Sequence, residues 1–327
     1  MLPFSSVIVG ALVASRVATS LLRTAPRFLP FPGWFPVVVE PLHRLVAGNL
    51  EQAEVVTHGV RMRLDLRDYI QRRIFYESHE PRELAFYERF LRPGDAVLDV
   101  GAHVGIFTLV AARAVGESGE VHAFEPVPQN FRMLEENIRL NGFPQVRLNR
   151  TAVGAEEGEA SFGLPERVPD VGETSAMYTH GGTVRPLKVP VTTLDAYVEE
   201  HIGAQPIRLL KIDAEGMEPA VLAGFERRLA SDPPAAILLE VNLELLARHE
   251  SGAGDIFDRL RRAGYWLYRS TALGRLRELE PGLGERFDPE RDVPEQEPGL
   301  RGWLRRYRSE SRIFFNLFAL QSGERPR

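Results

Sequence analysis

The sequence predicts an α/β fold organised on an open, mostly parallel sheet with helices on both faces, and three observations predict it. A short apolar run, Ala96 to Val100, carries Asp99 and opens through Gly101 and Gly105 into the helix-like stretch Ile106 to Val115. From there on, β-prone apolar runs alternate with helical stripes, a pattern that needs parallel strands joined by crossover helices. Asp99, Glu125, Asp213 and Glu240 fall at or near the carboxyl ends of such runs, where open parallel sheets hold their ligands.

The elements follow in chain order. Prolines between Pro26 and Pro41 make an extended connector, and Pro41 to Asn49 reads as one short helix. Val55 to Leu66, with Gly59 between two β-prone runs, is a hairpin, and Leu84, Tyr87 and Leu91 recur at helical spacing over Glu80 to Leu91. After the first core strand and its helix, Val121 to Phe124 is the second strand. Pro128 opens a helix with Phe131, Leu134 and Ile138 on one stripe, closed by Asn141 and Gly142. Val146 to Val153 is the third strand, and Glu156 to Phe162 with Leu187 to Val191 form an antiparallel excursion around a polar loop, 165–185. Thr192, Thr193 and Asp195 start and cap a helix. Ile207 to Ile212 is the fourth strand, Met217 to Leu229 a helical face with Pro219 in its first turn, and Ala235 to Val241 the fifth strand. Ile256 to Leu260 is helical, and Tyr265 to Arg269 is a sixth strand. Ile313 to Leu320 is the last, an antiparallel strand expected at the sheet edge after a long insertion rich in Glu, Pro and Arg.

The glycine turn narrows the ligand. A dinucleotide fingerprint needs G-x-G-x-x-G, but counting from Gly101 places His103 and Ile106 at the second and third glycine positions, so the nicotinamide reading fails. Glycine here either lets a ligand lie against the backbone or provides a positive φ. Glu125 ends the second strand, where a carboxylate can accept hydrogen bonds from vicinal ribose hydroxyls. The two features together suit a nucleoside without a pyrophosphate.

Four segments, VLDVGAHVG, AFEPVPQNFRMLEENIRLNG, LLKIDAEGMEPAVLAG and ILLEVN, occur in that order. In this arrangement the chain resembles the FkbM family of S-adenosylmethionine-dependent methyltransferases over roughly Gly59 to Asn242. The resemblance implies a class I methyltransferase Rossmann-like sheet of seven strands with the last one antiparallel. It implies S-adenosyl-L-methionine as cofactor, held by Asp99, Gly101, His103, Gly105, Glu125, Pro126 and Asn130. His103 stands where the family usually has asparagine. The domains expected are an apolar and proline-rich extension over 1–50, a lead-in hairpin and helix over 51–92, and the methyltransferase domain over 93–327, with its insertion at 270–310.

On the acceptor side the sequence places Lys211, Asp213 and Glu215. Strand alternation puts Lys211 and Asp213 on one face, so they can pair, and a nearby ammonium lowers a carboxylate pKa. A hydroxyl attacking a sulfonium methyl must shed a proton, which a carboxylate can take. Capping of the next helix by Asp213 and Glu215 is the competing use. Methyl transfer needs no metal in principle, since orientation and exclusion of water supply much of the rate. The expected reaction is O-methylation of a small molecule, sugar or glycolipid. N-methylation, or a nucleoside-binding module of the same fold without turnover, is the alternative.

Composition bounds the rest. With 327 residues, 44% of them hydrophobic, the chain can bury a sizeable core. A net charge of -5 argues against a general nucleic-acid binder. The absence of cysteine removes disulfides, thiolate metal sites and cysteine nucleophiles. A cytoplasmic protein is expected. Residues 1–22 are largely apolar but interrupted by Arg16, borderline for a membrane helix. They either associate with a membrane or pack as an ordinary helix.

Overall fold

The computed structural model describes residues 39–47, 50–165, 184–249, 251–270, 275–279 and 314–324. The stretch 1–22, most of the proline connector, the loop 166–183 and most of the 270–310 insertion lie outside the described residues. No helix among the described residues is long and apolar enough to cross a membrane. The chain divides into two compact units, one ending at Pro81 and the other beginning at Arg82.

The first unit contains α1 (Glu40–Ala47), the hairpin β1 (Gln52–Thr57) and β2 (Val60–Asp65), and α2 (Tyr69–Phe75). The hairpin closes through His58 and Gly59 at φ 46 and 71, the doubly left-handed turn whose twist matches that of paired strands. Val60, Met62 and Leu64 are buried while Arg61 and Arg63 are exposed, as a strand with one covered face requires. Asp68 caps α2 by accepting from the Gln71 N–H at 2.8 Å. The buried Arg72 is satisfied by Glu40 at 2.9 Å and by the Leu66 and Arg67 carbonyls at 2.8 Å.

The second unit opens with the helix α3 (Pro81–Phe90) and is built on β3 (Ala96–Val100), β4 (Glu120–Phe124) and β5 (Val146–Asn149), connected by α4 (Ile106–Val115) and α5 (Pro128–Asn141). A small sheet follows, from β6 (Ala152–Val153), β7 (Gly158–Pro165) and β8 (Val184–Thr192). Then come α6 (Leu194–His201), β9 (Ile207–Ile212), α7 (Glu218–Ala223), α8 (Glu226–Ser231), β10 (Ala236–Asn242), α9 (Leu243–Arg248), α10 (Ala253–Arg262), β11 (Trp266–Ser270), β12 (Leu276–Glu278) and β13 (Phe314–Leu320). The main sheet has eight strands in the order β12-β11-β13-β10-β9-β3-β4-β5. Strands β5, β4, β3, β9 and β10 run parallel, and β13 runs antiparallel to both of its neighbours. All of β3 is buried, because helices cover both faces of the central strands. Leu98, Val100, Leu210, Ile212 and Leu239 pack with Tyr197, Leu222 and Phe225 on one of those faces.

Four sequence expectations change in the fold. The last strand is not at the sheet edge: β13 lies between β10 and β11, and Leu317 to Leu320 are buried on both faces, which an edge position does not provide. The edge on that side is β12, an eighth strand beyond the seven expected, with too little apolar pattern to be read beforehand. The run Val146 to Val153 divides, its first part entering the main sheet and Ala152–Val153 pairing with β8. The single helix expected over Met217 to Leu229 breaks at Gly224, whose β-carbon would lie 2.0 Å from the Gly154 carbonyl oxygen. Asp195, in α6, sits against that break, donating its N–H to the Gly224 carbonyl at 2.8 Å and accepting the N–H groups of Arg227 and Arg228 at 2.8 and 2.9 Å, so it caps α8, while Thr193 caps its own helix.

Candidate cofactor and acceptor site

The turn after β3 is held by its own backbone. Gly101 and Ala102 both donate to the Phe124 carbonyl at 3.0 Å, and Gly105 donates to Ala102 at 2.9 Å. Gly101, His103 and Gly105 have φ of 81, 52 and 96. Histidine tolerates the left-handed region better than most residues. The sequence left two uses for these glycines, a ligand's close approach or a positive φ; the φ values bear out the second, and the space beside each α-carbon is filled by the protein itself. A β-carbon at Gly101 would meet the Asp213 carbonyl oxygen at 1.9 Å, and one at Gly105 would meet Leu134 Cδ1 at 2.5 Å. The fully buried Asn137 adds a tie from α5 by donating to the Val104 carbonyl at 2.9 Å.

Glu125 follows β4 and is 4% exposed. Its Oε2 accepts the His103 N–H and its Oε1 the Val127 N–H, both at 2.9 Å, and Asn130 also hydrogen-bonds its carboxylate. Glu125 therefore joins the glycine turn to the start of α5, with Pro126 in the link between them. Each carboxylate oxygen has a second lone pair, so these bonds leave acceptor capacity for hydroxyls.

Asp99 is fully buried on β3 and accepts from Thr108 Oγ1 at 2.6 Å. Its other oxygen, Oδ1, has no hydrogen-bond partner, and Lys211 Nζ lies 4.0 Å away. Burial raises the Asp99 pKa and the Lys211 charge opposes that rise. A buried acceptor oxygen without a partner is costly, and the amino group of S-adenosylmethionine is a donor of the kind it lacks. Together with the spare acceptor capacity of Glu125, this donor and acceptor set fits the cofactor. Thr108 was not anticipated, because its hydroxyl matters only once α4 folds back over β3.

The alternation of Lys211 and Asp213 on β9 produces the expected pair, with Nζ to Oδ2 at 3.0 Å. Lys211 is buried, and its ammonium lies 4.9 Å from the centre of the Phe107 ring, a cation–π contact. Beyond it, Glu215 and Gly216 adopt φ of 53 and 94. The sequence also missed Glu218, which is 2% exposed and accepts the Ala214 and Gly216 N–H groups on Oε1 at 3.1 and 3.0 Å. Its position in the first turn of a helix had the look of an ordinary dipole partner. Glu240 faces Asn316 across the β10–β13 ladder, and among the described residues no cluster of three histidines or carboxylates could hold a metal ion.

Burial pushes Glu125 and Glu218 each up to about 7, against the hydrogen bonds they accept, and the Asp213 charge adds to both rises. In the unfolded chain a glutamate titrates near 4.3. Between that value and about 7 the folded chain keeps protons that the unfolded chain has released, so these groups make stability fall as pH rises through this window. Urea unfolding of cofactor-free protein between pH 4 and about 8 is expected to show it. Relative to Glu218→Gln, the wild type should lose on the order of 3 kcal/mol across the window. A constant difference would mean that Glu218 is not buried as described.

The strand order, the reversed β13 and the carboxylate-lined turns at the ends of β3, β4 and β9 define a class I S-adenosylmethionine-dependent methyltransferase fold. Residues 99–267 match the model of the methyltransferase FkbM domain, and the chain belongs to that family. It is 33% identical over 165 residues to the 31-O-demethyl-FK506 methyltransferase FkbM of Streptomyces tacrolimicus, covering 42% of this chain and 61% of that protein. It is 26% identical over 153 residues to Methyltransferase 1 of Beauveria bassiana, covering 41% of this chain and 60% of that protein. The chain thus spans about 60% of the length of these curated relatives. Among solved structures it is similar to methyltransferase FkbM from Methylobacillus flagellatus, with 13% identity, a TM-score of 0.39, and coverage of 88% of this chain and 60% of that one.

Proposed function

We propose that the chain transfers a methyl group from S-adenosylmethionine to a hydroxyl oxygen of a small molecule, with sugars and glycolipids as the acceptor classes. The observation that carries this reading is the position of Asp213. It pairs with Lys211, and its charge also raises the pKa of Asp99, Glu125 and Glu218. A partly exposed carboxylate is thereby in electrostatic reach of the buried carboxyls assigned to the cofactor. Oxygen is favoured over nitrogen because the relative from Streptomyces tacrolimicus is named for an O-demethyl substrate.

The cofactor supplies a methyl group already activated on a sulfonium. Asp99 holds its amino group through the unpartnered Oδ1, and Glu125 accepts from the ribose hydroxyls. Lys211 fixes the Asp213 carboxylate by their 3.0 Å bond. The Asp213 carboxylate then takes the proton that the acceptor hydroxyl releases. Glu215, on the same turn, lines the acceptor side.

The experiment is transfer of tritiated methyl from S-adenosylmethionine to a panel of hydroxylated compounds, including methyl glycosides, glycolipids and 31-O-demethyl-FK506, with amine analogues beside them. Label appearing only in amines would overturn the oxygen assignment, and cofactor binding without label in any compound favours a non-catalytic module. Asp213→Asn is expected to leave cofactor affinity within a fewfold of wild type and to lower turnover about a hundredfold or more. Unchanged turnover would remove Asp213 as the base.

A further inference from the structure

The geometry points to Glu218 as a positioning residue: through one carboxylate oxygen it sets the shape of the turn between β9 and α7 that carries Asp213 and Glu215. This inference rests on the reading of Asp213 as proton acceptor. The turn is conformationally expensive. Glu215 is not a glycine, yet it has φ 53, and Gly216 follows at φ 94, so two consecutive residues are left-handed. The turn also has no slack beneath it, since a β-carbon on Gly216 would lie 2.8 Å from His249 Cδ2 and 3.0 Å from Leu245 Cβ.

Glu218 Oε1 offsets that cost by accepting from both Ala214 and Gly216, the residues on either side of Glu215. An ordinary first-turn glutamate is exposed and contributes through the helix dipole alone. Glu218 is 2% exposed, and its Oε2 has no hydrogen-bond partner. A buried, half-used carboxylate is disfavoured as a stability device. It is accounted for by the shape that its other oxygen imposes. The carboxylate acts on the acceptor side through Asp213 and Glu215 and need not touch cofactor or acceptor itself.

The test compares Glu218→Ala with Glu218→Gln in the full chain. Amide exchange at Ala214 and Gly216, read by NMR, is expected to quicken about tenfold or more in Glu218→Ala. It should stay near wild type in Glu218→Gln, whose carbonyl oxygen can take the place of Oε1. S-adenosylhomocysteine affinity, by calorimetry, should stay within about threefold of wild type in both. With the acceptor found in the panel, kcat should fall about tenfold or more in Glu218→Ala, recover in Glu218→Gln, and fall less than about threefold further when Asp213→Asn is already present. Unchanged exchange in Glu218→Ala overturns the proposal, as does a Glu218→Gln that loses as much as the alanine variant, or a kcat loss that adds fully to that of Asp213→Asn. Should Glu218→Ala fail to fold, Glu218→Asp draws the carboxylate back by one methylene and is expected to quicken the same two amides. Full turnover in Asp213→Asn alone would instead sink the proton-acceptor reading, while the exchange data still report whether Glu218 shapes the turn.

Discussion

Among the described glycines, Gly101→Ala is expected to be the most damaging substitution by alanine, lowering stability by about 4 kcal/mol or more. The added carbon would lie 1.9 Å from the Asp213 carbonyl oxygen, and neither side can yield cheaply. Asp213 N donates to the Val100 carbonyl at 3.0 Å, and Val100 pairs with Ile212 at the end of the β3–β9 ladder. Moving apart would therefore open the ladder on which both turns are mounted. Gly142 supplies the control. Its φ is 64, but a β-carbon there meets nothing within 4 Å, so Gly142→Ala bears only the left-handed penalty of about 1–2 kcal/mol. Urea unfolding of the two variants measures the contrast, and equal losses would show that the approach of Asp213 to Gly101 is not as close as described.

Glu125→Ala is expected to weaken S-adenosylmethionine binding by more than about tenfold, through two losses. The hydroxyl acceptor disappears, and the N–H groups of His103 and Val127 are left without their carboxylate oxygens, at about 1–3 kcal/mol for each buried group. Relief from burying a carboxylate whose pKa has risen to about 7 recovers part of that. Glu125→Gln should be harmful as well. Its two oxygens serve two different donors, so an amide must turn its NH2 toward one of them. At Glu218 one oxygen serves both donors, and the same substitution is mild. Calorimetry with S-adenosylhomocysteine distinguishes the positions. Unchanged affinity in Glu125→Ala would end the assignment of the ribose to this residue.

Much of this site was legible because it depends on local pattern. The left-handed turn announced itself in Gly101 and Gly105, and strand alternation placed Lys211 beside Asp213. The helix Pro128–Asn141 ended at Gly142, as its residues required. What stayed hidden depends on pieces distant in sequence. The neighbour of Gly101 is a carbonyl 112 positions further along the chain. Thr108 meets Asp99 only when a helix lies on the strand, and the break at Gly224 has its cause in Gly154. Glu218 was overlooked for a different reason. A glutamate opening a helix is so common at the surface that nothing local marks one buried beneath a turn.

The place of β13 bears on how the protein is made. Phe314–Leu320 is hydrogen-bonded to both β10 and β11, and among the described residues β11 reaches β10 and the strands beyond it only through β13. During synthesis β10 must therefore leave the ribosome with one flank bare, and the β11–β12 pair must wait unattached until Phe314–Leu320 has been made. For that interval the nascent chain presents an apolar, unpaired strand flank of the kind that recruits other chains, so chaperone demand should concentrate between the emergence of β10 and that of β13.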